Sequence, residues 1–145
     1  MRRDIKERLL ADKRAAAEQV DAARAEHAEG TLTAELLRER LFWYVLAKFG
    51  LEATEAPDRS LEALAEESLA KALRTDPDRV LEAERPATCD GARSVDTKQA
   101  LLVMALQREF GVVLDGLRAG LADTTDELAD LVFSALEAQG DGSRK

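Results

Sequence analysis

The chain contains little of several residue types, and each shortage argues against a class of protein. Its 145 residues include one Cys, one His and three Pro, and only 4% are aromatic. A single cysteine, Cys89, cannot form an internal disulfide, and a single histidine, His27, cannot supply a site built from several histidines. No stretch approaches the roughly 20 apolar residues of a transmembrane helix. We therefore expect a cytoplasmic protein without a membrane span, and the polar start MRRDIKERLLADKR predicts no signal peptide.

The abundant residues favour helix. Ala, Leu, Glu and Arg dominate, β-branched residues are sparse, and 46% of the chain is hydrophobic. This composition predicts an all-α protein with an aliphatic core and about one domain's length. The net charge, 21 − 29 = −8, argues against nonspecific binding to nucleic acid.

Charge is distributed unevenly along the chain. Residues 1–49 carry 10 basic and 9 acidic side chains, a net of +1, whereas residues 50–145 carry 11 and 20, a net of −9. This difference predicts two regions with different surfaces.

Residues 1–50 predict a helical hairpin. A long polar helix over 2–29 has only a thin apolar stripe, Gly30 suits its C-cap, and Thr31 or Thr33 can cap the next helix. The second helix extends to about Phe49 and is much more apolar. Residues 42–44 are all aromatic (Phe-Trp-Tyr), and each step along a helix turns by about 100°, so at least one of these rings must point away from the hairpin seam.

After a linker at 51–59, residues 60–139 predict a second helical unit, followed by a flexible tail at 140–145. A helix capped by Ser60 ends near Thr75, a long loop follows, and a strong helix spans about 94–110 with Leu106 on its apolar face. A glycine-punctuated stretch comes next. The last helix begins at Thr124, which has Glu127 at the spacing of a capping box.

Four segments in this second unit have the pattern of a known family. They are AKALRTDPDRV (70–80), GARSVDT (91–97), LVMALQREFGV (102–112) and ADTTDELADLV (122–132). Together with the order of long helix, loop, long helix, short element and last helix, they resemble the acyl and peptidyl carrier proteins over about 80 residues. The resemblance implies a four-helix, acyl-carrier-like bundle, here preceded by the N-terminal hairpin.

The resemblance also implies a chemistry centred on one serine at the start of the second long helix. A transferase attaches 4′-phosphopantetheine to that hydroxyl, and the arm then carries an acyl or aminoacyl group as a thioester. Here Ser94 is the corresponding attachment residue. The implied partners are a phosphopantetheinyl transferase and the enzymes that load and modify the cargo in a biosynthetic pathway. The carrier itself is not an enzyme.

Two registers of the motif remain open. Counting forward from Val80 places Ser94 at the attachment position, whereas counting back from Phe110 places Asp96 there, because the chain has two extra residues between motif and helix. A carboxylate cannot replace the hydroxyl that attacks the transferase's donor. In the second register the protein would be a carrier-like fold without the arm, acting as a binding or scaffold module.

The residues around Ser94 depart from the family's usual acidic surface. Arg93 and Val95 flank the serine where the family usually has Asp and Leu, and Ala100 and Met104 occupy positions where the family contacts its partners. Met104 could instead fill the core. The helix also carries uncharged or basic side chains where the family is acidic: Lys98, Gln99, Gln107 and Arg108. We therefore expect weak or reversed electrostatic steering of partners.

Overall fold

The computed structural model describes the backbone of residues 2–75 and 94–143, and the side chains of 6–74 and 95–139. Within these ranges the chain is helical, with one isolated β-bridge and no strand, so the prediction of an all-α protein is confirmed. The helices are α1 (Arg2–Glu29), α2 (Ala34–Lys48), α3 (Leu61–Thr75), α4 (Ser94–Phe110), α5 (Gly116–Leu121) and α6 (Thr125–Ser143), with a 3₁₀ turn at Ala53–Glu55 between α2 and α3.

Local sequence signals explain the turn between α1 and α2. Gly30 has a φ of 78°, a left-handed conformation that costs glycine little, and it ends α1. Thr33 is the N-cap of α2, since its hydroxyl accepts a hydrogen bond from the Leu36 N–H at 3.1 Å. The Arg40 guanidinium then makes two hydrogen bonds to the Glu26 carboxylate, at 2.7 and 2.9 Å, which hold the two helices together.

The aromatic triplet in α2 divides between core and solvent. The Tyr44 side chain is fully buried, Phe42 is half-buried, and Trp43 remains 46% exposed. The exposed Trp43 agrees with the prediction that at least one ring points away from the hairpin seam.

The hairpin and the later helices share one hydrophobic core. Buried side chains from α1 to α6 form a single cluster, and α2 packs against α6 as well as against α1. Arg59, in the linker, donates hydrogen bonds to Asp126 on α6 and to Glu39 on α2, and its guanidinium lies 4.6 Å from the centre of the Phe42 ring. The first 50 residues are thus part of the bundle's packing.

Helices α3 and α6 begin side by side. The Leu61 N–H donates to the Asp123 carbonyl at 2.8 Å, and the Thr125 N–H donates to the Arg59 carbonyl at 3.0 Å. Thr124 caps α6 by accepting from the Glu127 N–H at 3.1 Å, while the Glu127 carboxylate accepts from the Asp123 N–H at 2.9 Å. The predicted capping residues are correct, although Glu127 reaches one residue further back than a standard capping box.

Some predictions fall outside the described residues. The loop at 81–93, with Cys89 and Arg93, lies there. Helix α6 continues to Ser143, beyond the predicted start of the tail at 140. The flexibility of the tail and the domain boundaries stay predictions.

Candidate functional site

The candidate site lies at the start of α4. Ser94 is the first residue of this 17-residue helix, and its backbone also begins the second described range. Because the first N–H groups of a helix have no partner within it, this end is electropositive and favours an anion. Asp96 follows in the first turn and is exposed. The described part of α4 thus starts at the residue that the forward count selects, and Asp96 lies two residues further along the same helix.

Buried side chains fix α4 against the rest of the bundle. Leu102, Leu106 and Phe110 are each at most 3% exposed, in agreement with the predicted apolar face, and Val95 is half-buried against the same core. The Phe110 ring makes an edge-on contact with Tyr44 of α2, with ring centres 5.8 Å apart. The hairpin therefore holds the helix that begins at Ser94.

A polar cluster anchors the C-terminal half of α4. The Tyr44 hydroxyl donates to the Glu109 carboxylate at 2.6 Å, and the Lys48 ammonium lies 2.9 Å from the same carboxylate. Burial alone would raise the pKa of Glu109, but the hydrogen bonds from Tyr44 and Lys48 outweigh it, and the net pKa is below the ordinary value. Burial, followed by the bond to Glu109, raises the pKa of Tyr44, so this phenol stays protonated.

The predicted partner-contact positions on α4 are exposed. Ala100 is exposed and Met104 is 60% exposed, so Met104 does not fill the core. Leu101, which we did not predict, is 58% exposed beside them. These three residues give α4 an apolar outer surface.

Helix α5 and the loop before it add exposed apolar side chains that the sequence analysis missed. Val113, Leu117 and Leu121 are 86%, 74% and 68% exposed, and α5 contacts α4. The spacing of Leu117 and Leu121 places both on one face of a helix, but the neighbouring glycines concealed that signal. We call Leu101 and Met104 together with these three residues the exposed apolar set.

Two polar residues place α5. Asp115 caps this helix by accepting from the Leu117 and Arg118 N–H groups at 2.9 and 3.2 Å. The Gln107 side chain accepts from the Leu114 N–H at 2.9 Å and so holds the connecting loop. Gln107, interpreted from the sequence as part of a partner-facing surface, is thus half-buried and has a structural role.

Lys98 lies one helical turn after Ser94 and is half-buried. Its ammonium is 5.4 Å from the centre of the Phe49 ring, and burial lowers its pKa.

Over the residues that the structure describes, no group of three or more His, Cys, Asp or Glu side chains is placed to hold a metal ion. None of the helices in the same residues combines the length and hydrophobicity that crossing a membrane requires.

Comparisons with protein-family models, with curated proteins and with solved structures gave no match to this chain. The resemblance to carrier proteins therefore depends on the four sequence segments and on the order of the helices.

Proposed function

We propose that this chain is a carrier protein that presents an acyl or aminoacyl group as a phosphopantetheine thioester attached to Ser94. The observation that carries the proposal is that Ser94 is the first described residue of α4, with Asp96 further inside the helix. Of the two registers, the one with Ser94 at the attachment position has the serine at a helix N-terminus. The other would place the site at Asp96, two residues inside the helix.

The order of helices supports the same proposal. Along the described residues after the linker, two long helices, α3 and α4, precede the short α5 and the long α6. This is the order that the resemblance to carrier proteins implies. Residues 76–93, which connect α3 to α4 and include Arg93, lie outside the described ranges.

The start of α4 also suits the chemistry of the arm. A phosphodiester is an anion, and the electropositive end of a 17-residue helix stabilises it. The carrier needs no acid–base groups of its own, because a separate transferase forms the bond. Its role is to raise the effective concentration of the tethered cargo at a partner's active site.

The exposed apolar set supports a role in binding partner enzymes. Its five side chains are between 58% and 86% exposed on two neighbouring helices and their connecting loop. Large apolar side chains exposed together are typical of protein interaction surfaces. In this proposal the partners are a phosphopantetheinyl transferase and the loading and modifying enzymes.

Intact-mass spectrometry tests the proposal directly. The purified full chain is incubated with coenzyme A and a broad-specificity phosphopantetheinyl transferase, and we expect a gain of one phosphopantetheine. The gain should vanish in Ser94→Ala and persist in Ser134→Ala, which removes an exposed serine from α6. Circular dichroism would check that both variants remain folded.

A second variant separates the two registers. The double substitution Ser94→Ala, Asp96→Ser moves the only hydroxyl of the pair to the alternative position. Modification of this variant but not of the natural chain would overturn the proposal. It would favour the alternative, a carrier-like fold that lacks the arm and acts as a binding or scaffold module through the exposed apolar set. Absence of modification with several transferases would favour the same alternative.

A further inference from the structure

A cavity lies where the hairpin meets the later helices. Its volume is about 420 Å³, and its wall is formed by α1, the end of α2, α3 and Lys98 of α4. Small-molecule sites commonly have volumes of about 300–1,000 Å³ and often lie between the helices of bundles. The hairpin supplies most of this wall, so the cavity depends on the part of the chain outside the carrier-like segments.

Part of the cavity wall is apolar. Leu9, Ala47, Phe49 and Ala72 line it. Leu9 is a large apolar side chain of α1, yet it is 56% exposed at this edge of the cavity. An apolar portion of a ligand would remove Leu9 and its neighbours from water.

The charges of the wall are opposite in sign to the charge of the whole chain. Five cationic residues and one carboxylate, Asp12, line the cavity, a net of 5 − 1 = +4 in a chain whose net charge is −8. Lys48 pairs with Glu109 at 2.9 Å, and Lys71 donates to Glu55 at 2.7 Å. Within residues 6–74 and 95–139, Lys98 forms no ion pair with a carboxylate.

Lys98 is therefore half-buried, its ammonium contacts an aromatic ring, and no carboxylate among the described residues forms an ion pair with it. Removing an ammonium from water is costly unless an anion compensates it. Burial is the sole cause that lowers its pKa, which agrees with the absence of a nearby negative charge among the described residues. A ligand anion at this position would restore the compensation.

We propose that this cavity binds a small carboxylate with a short apolar tail, the carboxylate at the Lys98 ammonium and the tail against Phe49 and Ala72. A singly charged group fits better than a doubly charged one, because Asp12 stands in the same wall. A water molecule occupies roughly 30 Å³ in the liquid, so the cavity volume corresponds to about 14 groups of that size. Octanoate has about ten heavy atoms, each of about that size, and so fits the cavity as a probe.

This inference does not depend on the attachment of an arm. Lys98 follows Ser94 by one turn of α4, so the ligand would lie near the start of that helix, but the unmodified chain should bind it. The test therefore uses the unmodified full chain, and its failure would leave the mass-spectrometric test of Ser94 unaffected.

Isothermal titration calorimetry with octanoate tests the charge. We expect saturable binding with one ligand per chain, and at least about tenfold weaker binding to Lys98→Met, because a charge-assisted contact is lost while the aliphatic stem is kept. The matched control is Lys6→Met, which removes an exposed cation of α1 outside the cavity wall and should leave the affinity unchanged. Octanol, which has the same tail without the charge, should bind the natural chain as weakly as octanoate binds Lys98→Met.

A second variant tests the cavity itself. Ala72→Phe adds a ring at the wall and should abolish octanoate binding while Lys98 remains in place. Amide NMR spectra of the natural chain should shift at Gly50 and Lys98 on addition of octanoate. Equal affinity for the natural chain and Lys98→Met, no measurable binding, or shifts centred on Leu101 and Met104 would each overturn the proposal.

Discussion

Truncation of Leu106 should destabilise the protein strongly, because this side chain is completely buried in the shared core. Leu106 of α4 is 0% exposed. Leucine-to-alanine substitutions at such sites cost about 2–5 kcal/mol, the sum of lost hydrophobic transfer and the cavity left behind. Since α4 carries Ser94, the same packing also holds the candidate attachment site in place.

The expected shift can be expressed in temperature. An unfolding entropy of about 2.1 cal/mol/K per residue gives about 0.3 kcal/mol/K for 145 residues. A loss of 2–5 kcal/mol then lowers the melting temperature by about 7–16 °C. Urea denaturation followed by far-UV circular dichroism would measure the free energy of unfolding itself, with an unchanged dependence on denaturant if unfolding stays two-state.

The matched control is Leu101→Ala in the same helix. Leu101 is 58% exposed, so its truncation should change the free energy of unfolding by no more than about 0.5 kcal/mol. Equal effects of the two truncations would show that the assignment of inner and outer faces to α4 is wrong.

Two further predictions concern the polar cluster of α4 and the glycines around α5. The folded-state pKa of Glu109 is below its ordinary value of 4.5, so its stabilising contribution is complete above that pH and is lost as the pH falls through the folded pKa. The free energy of unfolding of the natural chain should therefore exceed that of Glu109→Gln near pH 7, and denaturation at a series of pH values should show the gap closing below about pH 4.5; a constant gap would contradict this account. Gly111 has a φ of 68°, so Gly111→Ala should cost about 1 kcal/mol even though nothing lies within 4 Å of the added methyl group. Gly120 lies inside α5, is equally open and has no positive φ, so Gly120→Ala should raise the free energy of unfolding by up to about 1 kcal/mol. Urea denaturation measures both variants, and a change of the same sign at both glycines would refute the reasoning.

Much of the helical structure follows from local chemistry in the sequence. A cap, a glycine and an apolar period each act within about one helical turn, so the turn at Gly30 and Thr33 and the cap of α6 at Thr124 could be predicted without coordinates. The buried face of α4, including Leu106, was predictable for the same reason.

The candidate site was predictable only in part. The sequence pointed to Ser94 but left Asp96 open, because counting in two directions gave two registers. In the structure Ser94 is the first described residue of α4 and Asp96 lies inside the helix, which favours the first register. The exposure of Leu117 and Leu121 was missed, since glycines made the α5 segment look irregular.

The sequence by itself determined the all-α class, the places where most helices begin and end, and the apolar faces they bury, because these depend on neighbours within a few residues. Only the tertiary structure decided that the hairpin joins the core of the later helices, that Glu109 pairs with Tyr44 and Lys48, and that Lys98 lines a cavity facing α1. Those contacts join residues far apart in the chain. Their existence depends on how complete helices pack together, which no local pattern specifies.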